Sequence, residues 1–156
     1  MFTLPEKCKI VSAFGPKTTA GATTGDYISL KNAHKVWIVW HSVEGASDTC
    51  AISVNEATAV AGTGATTLSG TFPIWANQDC ATSDTLVAQT AAAGLTTSAT
   101  TKTKQVVIEV DPAQFSAGFD CMAVVSGASS ASNLSSCKYY ILERYQQATP
   151  PAAITD

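Results

Sequence analysis

The chain reads as all-β, an antiparallel β-sandwich of jelly-roll type with an extended C-terminal tail. Three observations predict this. Apolar residues recur at every second position in short runs. Gly, Asn, Asp, Ser and Pro separate those runs at spacings suited to turns. No stretch holds an apolar period of 3.6 over the length of a helix, which leaves a sandwich or barrel as the class.

Taken in order, strands are expected over 8–14, 26–30, 35–43, 49–54, 66–74, 85–90, 104–110, 119–125 and 137–145. The breakers between them include Gly15-Pro16, Gly25-Asp26, Glu44-Gly45, Gly62-Thr63-Gly64, Asp111-Pro112 and Ser126-Gly127. Residues 86–95 leave two readings open, a short helix favoured by the alanines or a strand with a small-residue loop. Asp111-Pro112 suits one helical turn, with Asp as cap and Pro at the first helical position. The sandwich domain is placed at 1–146. Residues 147–156 form an extended arm, either a loose end or one laid across a neighbour, since Pro150 and Pro151 cannot donate to a ladder and favour extended backbone.

A chain of 156 residues is long enough for one domain with its own core. Charged residues make up only 13 %, well below the roughly 25 % of ordinary soluble domains. The net charge of −3, without any Lys/Arg cluster, argues against nucleic acid as a partner. No run of eighteen apolar residues offers a membrane span. The segment from Met1 to Lys7 lacks a secretory pattern, so export by another route is expected. Ala, Thr, Ser and Gly replace the missing charge, giving a smooth surface suited to protein contacts.

Little in the chain points to catalysis, and no enzyme, cofactor or metal is expected. A nucleophile needs a base, and only His34 and His41 are on offer. The five cysteines form no CxxC pair. Cys50 and Cys121 alternate with apolar neighbours and read as core residues. Cys8 and Cys80 lie in more polar surroundings, and one or the other is expected to form a disulfide under oxidising conditions. The glycine-rich loop carrying Gly62 and Gly64 lacks the Lys of a phosphate loop and reads as a tight turn between strands.

The strongest feature is Lys35-Val36-Trp37-Ile38-Val39-Trp40-His41. Val36, Ile38 and Trp40 share one face, whereas Trp37, Val39 and His41 share the other. Both faces are apolar, so one meets the core and the other meets either a loop or helix of the same chain or another subunit. Trp75, at the end of its own strand, poses the same question. Contacts with partners are therefore expected at Trp37 and Trp75, at the Gly62 and Gly64 loop, and at the termini through Phe2, Leu4, Pro150, Pro151 and Ile154. Ile154 is the residue expected to anchor the tail.

Several short stretches resemble small virion proteins of tailed bacteriophages, the head decoration or cement proteins. They are Ile52-Ser53-Val54-Asn55-Glu56-Ala57-Thr58 with Ala61-Gly62-Thr63-Gly64-Ala65, then Val107-Ile108-Glu109-Val110-Asp111 before Gly118-Phe119-Asp120, and finally Tyr140-Ile141-Leu142-Glu143-Arg144-Tyr145. The chain departs from the pattern in carrying Thr66 where Lys is frequent, and in its number of cysteines. The resemblance implies a structural protein on the outer capsid surface, assembled in the host cytoplasm, with the major capsid protein and itself (as dimer or trimer) as partners. Three alternatives stand beside it: a carbohydrate-binding sandwich using Trp and Tyr as stacking platforms, a tail-tube or head–tail joining subunit, and a small hydrolase with its triad dispersed in sequence.

Overall fold

The structure is a computed structural model and describes residues 3–145, 149 and 151–155. A single helical turn, α1 (Leu4–Lys7), leads into β1 (Cys8–Thr18), β2 (Thr23–Thr24), β3 (Ile28–Ser29), β4 (Ala33–Glu44) and β5 (Ala51–Ala57). There follow β6 (Thr66–Thr67), β7 (Phe72–Asn77), β8 (Val87–Ala92), β9 (Gly94–Thr96), β10 (Thr103–Val110), β11 (Cys121–Ser126) and β12 (Asn133–Glu143).

One six-stranded sheet runs β1-β12-β4-β10-β7-β8. The second is built on β11 and β5, with β2 and β3 sharing the outer side of β11, and β6 and β9 sharing the outer side of β5. All pairings are antiparallel. Four of them nest: β1 with β12, β2 and β3 with β11, β4 with β10, and β5 with β9. Such a doubly folded hairpin is the jelly roll, so the expected architecture is present. The hairpin β7–β8 is extra and widens the first sheet beyond β10.

Side-chain alternation decides what lies between the sheets. Val36, Ile38 and Trp40 of β4 are fully buried, with Val106 and Ile108 of β10 and Tyr139 and Ile141 of β12 beside them. Ile52, Val54, Met122 and Val124 meet them from the second sheet. Two polar side chains tie the sheets together. The Trp40 indole N–H donates to Ser126 Oγ at 3.2 Å. The Tyr139 hydroxyl accepts from Val124 N at 2.8 Å, in the gap where β2 ends and β3 has not begun. Gly25 lines that gap, where a Cβ would come within 2.8 Å of the Tyr139 hydroxyl. At one end of the core Lys104 and Glu44 form an ion pair with side-chain exposures of 0 % and 1 %, and Lys104 also donates to the Ser98 carbonyl.

Several boundaries differ from expectation. β1 continues through Gly15-Pro16 to Thr18, with irregular register on both sides of Phe14, as an edge strand permits. The strand expected over 66–74 breaks into β6 and β7. β12 begins at Asn133 because Asn133 and Ser135, although polar, point inward; Asn133 Oδ1 accepts from Ala46 N at 2.8 Å. Residues 87–92 are strand, and the chain then crosses at Ala93 to β9 in the other sheet. The Asp111-Pro112 turn forms, as a 3-10 turn over Pro112–Gln114 with Asp111 Oδ1 accepting from Ala113 N.

The described residues of the tail lie against the sandwich. Ala153 is buried and its carbonyl accepts from Ser29 N at 2.6 Å, while Lys9 donates to the Pro151 carbonyl. The tail thus lies along its own domain between β1 and β3. Ile154 is 56 % exposed, so the anchor is Ala153, small enough to enter the seam that a longer side chain overhangs.

Candidate docking face

Register fixes which side chains share the outer face of the six-stranded sheet. Across it, Ile10 faces Tyr140, Tyr140 faces Trp37, and Trp37 faces Glu109. The next row runs Lys138, Val39, Val107, Trp75 and Ala88. A third places Leu134 against Val43, which are 45 % and 51 % exposed. The tryptophans singled out in the sequence therefore meet on one surface, and both are half-buried. Two strands separate their Cα positions by about 10 Å across the sheet and two residues by about 7 Å along it.

The polar groups on this face are organised around Glu109. Its Oε1 accepts from Lys35 Nζ at 2.7 Å and its Oε2 from the Trp37 indole N–H at 2.8 Å. The Lys35 hydrogen bond holds the Glu109 carboxyl below the usual carboxylate range, outweighing partial burial, and raises Lys35 in return. Trp37 is thereby fixed in orientation while remaining half-buried. A shallow groove of about 280 Å³ adjoins it, lined by Lys35, Pro73, Glu109, Asp111, Ala113 and Gln114. Sequence reading missed Glu109, whose position opposite Trp37 depends on the register of β10 against β4.

The other expected contact residues lie elsewhere. Gly62 (φ 76°) and Gly64 (φ 63°) need left-handed backbone. A Cβ at Gly62 would also meet the Tyr27 ring at 2.9 Å, so this loop is accounted for by its own turn and by the second sheet. Leu4 is exposed on α1, and Pro151 is engaged by Lys9. Phe2 and Pro150 lie outside the described residues.

All five cysteines are free thiols. Cys8 opens β1 and Cys80 follows β7, with β12, β4 and β10 between those strands. Four strand spacings amount to about 19 Å, beyond any disulfide within one chain. Cys50 is buried in the core as expected, whereas Cys121 is buried on the face of β11 opposite Met122 and Val124, outside that core; Cys137 is in the core, and burial pushes its thiol up to about 12. His34 and His41 are both exposed and lie seven residues apart on one strand, roughly 23 Å. Among the described residues no group of His, Cys, Asp and Glu side chains could hold a metal ion, and no helix is long and apolar enough to cross a membrane.

No protein-family model, curated protein or solved structure matches the chain.

Proposed function

We propose that the protein is a structural virion component that decorates and stabilises the outer surface of a tailed-phage capsid. The observation that carries this reading is the apolar band on the outer face of the six-stranded sheet, from Ile10 and Tyr140 through Trp37, Val39 and Val107 to Trp75. A sheet face of this kind gains by burial, at roughly 25 cal/mol per Å² of apolar surface. An ordinary specific contact buries about 800 Å² per partner. The low charge of the chain suits the centre of such a contact. The major capsid protein is the proposed partner, and many copies on one lattice would multiply a modest affinity.

The test is co-sedimentation with expanded phage shells that lack the protein. Wild type should bind and raise the rupture temperature of the shells. Val107→Lys, which places an ammonium between Val39 and Trp75 at a half-buried position, should remain folded by circular dichroism and fail to bind. Shells that leave wild type in the supernatant would reject the reading.

A second reading follows from Trp37 itself. An indole oriented by Glu109, half-open and next to a groove with charged side chains, has the elements of a sugar-stacking platform. Glycans that quench Trp fluorescence in wild type and fail to do so in Trp37→Ala would favour carbohydrate binding over the capsid.

A further inference from the structure

We propose that the free edge of β8 pairs antiparallel with β8 of a second copy, joining two six-stranded sheets into one. Among the described residues β8 pairs only with β7. It lies on the hairpin that widens the sheet, and most of its side chains are exposed. Leu86 and Val87, at 38 % and 57 % exposure, stand in solvent at the start of the strand.

The opposite edge of the same sheet is protected in every way that β8 is not. On β1 the Ala13 carbonyl already accepts from Asp26 N, Pro16 lacks a donor, and the register is irregular. Lys7, Lys9 and Lys17 place charge on or beside it, and the tail lies alongside. Such features block edge-to-edge pairing. Between Asp84 and Lys102 there is no charged residue and no proline. The single guard is Gln89, whose side-chain amide donates to the Val87 carbonyl at 2.9 Å and would have to swing aside.

A second copy is the partner because a strand paired with itself across a two-fold axis sets the residue on the axis against its own copy and brings its neighbours close to theirs. Any charge near the axis would meet a like charge, which is destabilising. Residues 85–90 contain none. The register between β7 and β8 shifts beyond Gln89, so the regular part of the edge, 87–89, is the part that pairs, with the two-fold axis at Val87. An axis placed there and perpendicular to the sheet turns both outer faces the same way. Edge pairing alone buries less than a standard interface, so the dimer of the free chain is weak and in the micromolar range. The inference concerns an edge, not the face proposed for docking, and stands or falls separately.

Sedimentation velocity from about 10 to about 500 μM reads the association directly, at concentrations that bracket a micromolar constant. Wild type should pass from monomer to dimer. Val87→Lys should remain monomeric, and so should Val87→Glu, while an equimolar mixture of the two should recover a heterodimer. Hydrogen exchange at high concentration should protect amides of 86–90 and leave the β1 edge unchanged. A wild-type chain monomeric throughout, or a Val87→Lys chain that dimerises like wild type, would overturn the proposal.

Discussion

Replacing Lys104 while Glu44 remains would strand a carboxylate in a site with almost no solvent contact. Breaking a buried pair in this way typically costs about 3–5 kcal/mol, whereas replacing both partners by apolar residues is often neutral. Lys104→Met should therefore be strongly destabilised in urea, and Lys104→Met with Glu44→Leu should recover most of the loss. Glu143 presents the opposite case. It is buried with Oε2 lacking a hydrogen-bond partner among the described residues, and burial raises its carboxyl above the usual range, against the opposing effect of Lys9. Ionisation then costs the folded state more than the unfolded chain. The penalty is absent below the ordinary carboxylate range and fully present once pH has passed the raised value. Glu143→Gln should thus raise the melting temperature at neutral pH, by the equivalent of about 1 kcal/mol, and change nothing in acid. A thiol titration of the native protein should reach Cys8 and Cys80 first, with buried Cys50, Cys121 and Cys137 reacting only on unfolding.

At the scale of elements, the tail and the β8–β9 crossing are the informative pieces. The tail satisfies the Ser29 amide and the Lys9 ammonium and covers the seam between β1 and β3. A chain ending at Tyr145 should lose about 1–2 kcal/mol, counting two hydrogen bonds and one buried alanine, with faster exchange at Ser29 as the local readout. Where β9 meets β5, a Cβ on Gly94 would fall 2.2 Å from the Ile52 carbonyl oxygen, a backbone atom with nowhere to go. Gly94→Ala should destabilise by about 1–3 kcal/mol, measured by the urea midpoint. The close approach of the two backbones is what requires glycine at this position. The run of alanines at 91–93 left helix and strand undecided because small side chains carry no period.

For the whole molecule, the pairing of β1 with β12 joins the two ends of the chain, and each inner pair closes a shorter loop. Non-local topologies of this kind fold slowly, in milliseconds to seconds, since loop closure precedes its reward. Stopped-flow refolding should show that timescale, and a microsecond phase carrying all the amplitude would contradict it. Alternation along each strand was legible in the sequence because it is a local property of extended backbone, with a period of two. It determined the all-β class, the shared face of Val36, Ile38 and Trp40, the inward thiol of Cys50, and the capped turn at Asp111. Alternation says nothing about which strand lies alongside which. Only the tertiary structure decided that Trp37 and Trp75 look outward on one sheet and that Glu109 stands opposite Trp37. It alone separated Cys8 from Cys80 by most of a sheet and set Ala153 rather than Ile154 in the seam. Neighbours and register arise from contacts between residues far apart in the chain, and no local period encodes them.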